Sequence, residues 1–151
     1  MTQKIYLGAD HGGFELKESV KAYLEELDYE IEDLGTHSDT SVDYPEYGRR
    51  VGEAVVKDKK GLGIIICGSG IGISIAANKV AGVRCAMCNS IELATLGKEH
   101  NGANILAMGE RTAFMDDPLD IVQAFLDTSV DKSERHERRR GALNCGCTKD
   151  R

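Results

Sequence analysis

Cys67 closes an apolar run, Leu62-Gly63-Ile64-Ile65-Ile66, and opens a glycine-rich turn, Cys67-Gly68-Ser69-Gly70-Ile71-Gly72. The pattern is a buried strand, then a loop of exposed backbone N–H groups, then a helix start. Such a loop cradles an anion. N–H groups at a helix start also favour a thiolate over a thiol. A group able to take a proton and donors for an oxyanion therefore share one turn of chain. Moving a proton beside a carbonyl needs both. A positioned base contributes roughly 10²–10⁴-fold, and one preorganised oxyanion donor about 2.7–4 kcal/mol. Two plainer readings compete. A cysteine at a strand end can be a small core hydrophobe. The glycines could also belong to a dinucleotide fingerprint, but Ile73 stands where its third glycine falls, and the turn follows the third strand rather than the first.

Other chemistry-bearing residues are spread along the chain. The histidines are His11, His37, His100 and His136. His100 follows a helical pattern and precedes Asn101-Gly102, a turn signal, and on that pattern alone a histidine there is more often a helix-end residue than a catalyst. Arg135 and Arg139 are four apart and share a helix face, with Arg138 and Arg140 pointing elsewhere. Paired guanidinium groups suit phosphate; the alternative is a solvated basic helix pairing with Glu134 and Glu137. Asp10 and His11 are adjacent, and neighbours rarely aim at one ion. Cys85 and Cys88 fall in a strand, where residues three apart face opposite sides. With Cys145-Gly146-Cys147 they read as core thiols plus a tail rather than a zinc site, so no metal is expected.

These residues need a frame. Apolar runs at 4–8, 29–34, 62–67, 83–88 and 105–108 read as strands. Between them lie helical patterns: Leu16 to Leu27, Pro45 to about Lys57, a helix after Gly72, and one from an N-cap at Ser90 to His100. Pro118 to Leu126 follows, and Asp131 with Glu134 resembles a capping box for a last helix of about 131–143. Strict alternation predicts βαβ units and a parallel sheet covered on both faces. Ligands then bind beyond the carboxyl ends of the strands. The segments at those ends are Asp10-His11, Cys67–Gly72, Cys88-Asn89 and Met108–Arg111, and they are expected to converge. A single domain over 1–151 is expected, with an unassigned tail at 144–151.

Composition narrows the function. The chain has 151 residues, 41% hydrophobic and 29% charged, with net charge −6. That balance argues against nucleic acid as a partner. No apolar stretch approaches the ~20 residues of a membrane span, and Met1 to Lys4 carries no signal-peptide pattern. Five cysteines in no scaffold spacing point to a reducing, cytoplasmic setting.

Together, Gly8-Ala9-Asp10-His11-Gly12-Gly13-Phe14, Asp43-Tyr44-Pro45, Cys67 through Lys79, His100-Asn101 and Arg135-His136 resemble the type B ribose-5-phosphate isomerase family, which includes the galactose-6-phosphate isomerase subunits. The resemblance implies a three-layer αβα sandwich with five parallel strands in the order 2-1-3-5-4. It implies an aldose–ketose isomerase acting through a cis-enediolate in the pentose phosphate pathway, with no metal or cofactor. Cys67 would be the base, Ser69 would relay protons between O1 and O2, and His100 helped by Asp10 would open the sugar ring. Gly68, Gly70, Ile71 and Gly72 would hold the enediolate oxygens beside Asn101, and Tyr44 would line the pocket. His11, Arg111, Arg135 and Arg139, with His136 among them, would hold the phosphate end. A homodimer or tetramer sharing its sites between subunits is implied too. A six-carbon sugar phosphate (allose 6-phosphate or galactose 6-phosphate) and a non-catalytic phosphosugar-binding module stand as alternatives. The cysteine at 67 favours the ribose branch.

Overall fold

The structure, a computed structural model, describes residues 3–144; the Cys145-Gly146-Cys147 tail lies outside them. The five strands are β1 (Lys4–Ala9), β2 (Glu30–Asp33), β3 (Leu62–Cys67), β4 (Cys85–Met87) and β5 (Ile105–Gly109). They form one all-parallel sheet in the order β2-β1-β3-β5-β4. The helices are α1 (Phe14–Glu26), α2 (Tyr44–Lys57), α3 (Ile71–Asn78), α4 (Ile91–Asn101), α5 (Pro118–Asp127) and α6 (Glu134–Asn144).

The alternation of side chains along the central strands builds two cores. Ile64 and Ile66 of β3 join Leu7, Leu106 and Met108 under α1, α4 and α5, through Val20, Leu24, Ala94, Val122 and Phe125. Ile65 and Cys67 join Ile105 and Ala107 under α2 and α3, through Tyr47, Val51, Val55, Ile73 and Ala77. β3, with neighbours on both sides and helices on both faces, is buried at every residue. That is why it reads as an unbroken apolar run. Cys85 packs against the second core and Cys88 against the first, on opposite faces as their spacing requires. Burial pushes both thiols up, Cys88 to about 11.

The edges differ from the sequence reading. β2 is Glu30-Ile31-Glu32-Asp33, half exposed rather than apolar throughout, as suits an edge strand that must not pair with another chain. β4 is only three residues long. Arg84 N–H goes to Asn104 Oδ1 (2.8 Å) and Cys85 N–H to Asn78 Oδ1 (2.8 Å), so side-chain amides take donors a longer strand would have used. Ser90 caps α4 as expected, its Oγ accepting from Leu93 N (3.1 Å). Asp131 does not form a capping box: α6 begins at Glu134, and Asp131 Oδ1 instead accepts from Ser133 N (2.7 Å), turning the chain ahead of the helix.

Candidate active site

Three turns meet at the carboxyl edge of the sheet. The register pairs Ala9 with Ile66 and Cys67 with Gly109, so β1, β3 and β5 end side by side. Asp10 is buried, and its Oδ1 accepts from Gly12 N (2.9 Å) and Gly13 N (3.1 Å), closing the first turn. A Cβ on Gly12 would lie 3.1 Å from Gly68 N, and one on Gly13 only 2.2 Å from Ile66 O. Glycine lets the first turn lie flat against the second. In that second turn Gly70 N donates to Cys67 Sγ (3.1 Å) and Ile71 N to Ser69 Oγ (3.2 Å). Gly70 has φ +78°, a left-handed conformation that glycine adopts without strain, and it packs on the Met108 carbonyl. The third turn is tied in by Arg111 N donating to Gly68 O (2.9 Å), and the Arg111 side chain lies over Gly68. Cys67 keeps 4% of its surface, next to an exposed Ser69.

His11 and Tyr44 join this group from the α2 side. His11 Nδ1 accepts from Val42 N (3.1 Å), which leaves Nε2 of a neutral ring to carry the proton and donate. The Tyr44 ring rests on Gly72, where a Cβ would sit 2.4 Å from the ring edge. Near the end of β1 lies a buried ion pair that sequence reading missed. Lys17 is fully buried, its Nζ 2.5 Å from Asp33 Oδ2. Burial works against the Asp33 charge, but hydrogen bonds from Lys17 and Gly35 N outweigh it and hold the carboxyl below its usual range. Asp33 Oδ1 accepts from Gly35 N (2.9 Å), and Gly35 and Thr36 bond the Ala9 backbone (2.8 and 2.7 Å). The end of β1, just before Asp10, is thereby fixed from both sides.

The remaining candidates lie elsewhere. α4 runs back across the sheet, so His100 and Asn101 sit at the amino edge, just before β5 begins. β5 alone spans about 13 Å at ~3.3 Å per residue, so within one chain His100 cannot reach Asp10 or Cys67. Arg135, His136 and Arg139 belong with His100, because α6 packs on α4. The His136 and His100 rings stack at 4.5 Å between centroids, 11° from parallel. His136 is buried, with Asp131 Oδ2 3.7 Å from its Nε2. Arg135 and Arg139 are exposed on one face of α6. The candidate residues thus fall into two clusters. One holds Asp10, His11, Tyr44, Cys67–Gly72 and Arg111; the other holds His100, Asn101, Arg135, His136 and Arg139. Among the described residues no three His, Cys, Asp or Glu side chains cluster as a metal site would require, and no helix is long and apolar enough to cross a membrane.

His136 carries a pH signature. Burial lowers its pKa, as do the charges of His100, Arg135 and Arg139, against an opposing pull from Asp131. The unfolded chain takes up this proton near pH ~6.5, and the folded chain only at lower pH. Stability present above that pH is therefore lost as the pH falls through the folded value. Melting temperatures measured from about pH 7 down to about pH 5 should fall less steeply for His136→Asn than for the unaltered protein. Parallel slopes would refute the assignment.

Comparison with known proteins gives the family. A family model described as Ribose/Galactose Isomerase matches residues 5–143. The chain belongs to the ribose/galactose isomerase family. Relatives in it include ribose-5-phosphate isomerase B of Mycolicibacterium paratuberculosis, 44% identical over 90% of this chain and 86% of its own. That of Escherichia coli is 42% identical over 93% and 94%. Among solved structures, ribose-5-phosphate isomerase B of Clostridium thermocellum superposes with a TM-score of 0.90 at 47% identity, covering 94% of this chain and 95% of that one. The type B enzyme of Trypanosoma brucei gives 0.91 at 40%, covering 97% and 99%. Across the family's fold, the strand order matches the one the resemblance implied.

Proposed function

We propose that this chain interconverts D-ribose 5-phosphate and D-ribulose 5-phosphate through a cis-enediolate, at a site completed by a second copy of itself. The observation that carries the reading is the Cys67 thiol at the end of β3, held by Gly70 N–H beside the buried Asp10. Cys67 takes the proton from C2 and returns it to C1. Ser69, exposed at the turn, moves the proton between O1 and O2. The remaining N–H groups of Gly68 to Gly72 hold the charge that develops on oxygen, at the start of α3 where the first helical donors lack partners within the helix. His11 Nε2 and Arg111 hold the phosphate from this side, and Tyr44 walls the pocket.

The second copy supplies the other half: His100 to open the ring with Asp10, Asn101 beside the enediolate, Arg135 and Arg139 for phosphate, and His136 behind His100. Support comes from the β4 edge, where Ile71, Ile75, Met87 and Leu143 are each about half exposed. A cavity of about 360 Å³ there is lined by Asn78, Cys85, Asn101 and Leu143. A twofold interface along this edge, in a dimer or a tetramer, buries apolar surface and carries one chain's α4 end toward the other's β3 turn. We place the enzyme in the cytoplasm, in the pentose phosphate pathway, as one domain over 1–151 that uses no metal.

The test is incubation with ribose 5-phosphate in D2O with EDTA, read by NMR. Ribulose 5-phosphate should appear, with deuterium entering at the transferred position; neither appearing refutes the reading. Rates with allose 6-phosphate and galactose 6-phosphate rank the pocket, and ribose 5-phosphate should give the highest kcat/KM. Arg135→Ala and Arg139→Ala should each raise KM roughly 10- to 100-fold with kcat little changed, as loss of one charge-assisted phosphate contact predicts. Steady-state kinetics checks this.

A further inference from the structure

The end of α4 is held by two arginines that the phosphate reading leaves without a role. Arg140 Nη1 donates to His100 O (2.9 Å) and Nη2 to Asp131 O (2.7 Å). Arg84 Nε donates to Asn101 O (2.9 Å) and Gly102 O (3.1 Å). The carbonyls of His100 and Asn101 are ones that the end of α4 leaves unpaired, and cations are favoured beside them. The arrangement has a cost, since burial and then the Arg140 charge lower the Arg84 pKa. Two like charges are brought together at the residue pair that carries the chemistry of this half-site. The left-handed Gly102 (φ +58°) makes room for them, because a Cβ there would lie 2.8 Å from Arg140 Cδ.

Arg140 also reaches the imidazole of His100 by a second route. Asp131 is fixed through its backbone, its N–H donating to Glu99 O (2.8 Å) and its carbonyl accepting from Arg140. Its carboxylate then faces His136, whose ring is stacked on His100. Both the backbone of His100 and the surface its ring rests on are therefore tied to one planar, five-donor fork, a geometry lysine cannot reproduce. We infer that Arg140 is a positioning residue, which clamps the α4 end and, through Asp131 and His136, sets the orientation in which the His100 ring meets the sugar. The inference rests on the reading of His100 as the ring-opening group.

The experiment compares kcat and KM for Arg140→Ala, Arg140→Lys, His100→Asn and the double variant His100→Asn/Arg140→Ala, with thermal melts and gel filtration alongside. Arg140→Ala should lower kcat about tenfold or more with KM within about threefold, unlike the KM effect at Arg135 and Arg139. In the His100→Asn background the same change should cost less than about twofold, because groups acting as a unit are not additive. If Arg140→Ala does not fold, Arg140→Lys decides, with a kcat several-fold below the unaltered enzyme. Unaltered kcat in the folded Arg140 variants, or an equal loss with and without His100, overturns the inference alone. A fully active His100→Asn overturns the underlying reading as well.

Discussion

Cys67→Ala should turn over ribose 5-phosphate roughly 10²–10⁴ times more slowly than the unaltered protein, the range a positioned proton-transfer group contributes. Deuterium uptake from D2O should disappear in step. The fold should survive. Cys67 belongs to the core beneath α2 and α3, and removing one sulfur from it costs on the order of 1 kcal/mol. The change removes the sulfur that accepts from Gly70 N–H, so Cys67→Ser is the companion variant: its hydroxyl can still accept from that N–H but is a poor base. Both should still be stabilised thermally by ribose 5-phosphate, since His11, Arg111 and the arginines of the other half-site are untouched. Slow turnover with retained binding assigns the proton transfer to the sulfur. Normal turnover in either folded variant removes Cys67 from the mechanism and leaves the turn as an anion cradle only.

The part of this site that sequence revealed is the part that is local. A strand buried on both faces must be apolar at every residue, so β3 is legible from Leu62 to Cys67 at its observed bounds. The turn after it is written in glycines whose lack of Cβ makes room for other segments of the same chain. What escaped notice depends on partners distant in sequence. Lys17 sits among helical charges that look solvated, and only Asp33 from the next strand explains its burial. Arg140 looks like one of four surface arginines until the carbonyls of His100 and Asp131 are beside it. The separation of the two clusters, by contrast, follows from topology. A crossover helix returns the chain to the amino edge of a parallel sheet, and His100 and Asn101 precede β5 by only a few residues. Their distance from Cys67 is implied by the strand that follows them.

Mixing two severely slowed variants should therefore restore activity. On the proposed reading, Cys67→Ala lacks the base but has an intact α4 end, and His100→Asn has the base but lacks the ring-opening imidazole. In a twofold assembly each site takes one half from each chain. A mixed dimer then contains one site with both defects and one site with neither. If subunits exchange at random from an equal mixture, about half the dimers are mixed and about a quarter of all sites are intact. Activity should rise from near zero to about a quarter of the unaltered enzyme's, at the rate at which subunits exchange, and brief denaturation and refolding of the mixture should hasten it. The same mixing with Cys67→Ala and Cys67→Ser should restore nothing, which separates complementation from simple refolding. Were both halves of a site drawn from one chain, no mixture could contain an intact site, and the rate would stay at that of the two variants measured separately. Recovery in the first mixture and not the second thus reports directly that the site is completed by a neighbouring chain rather than by movement within one.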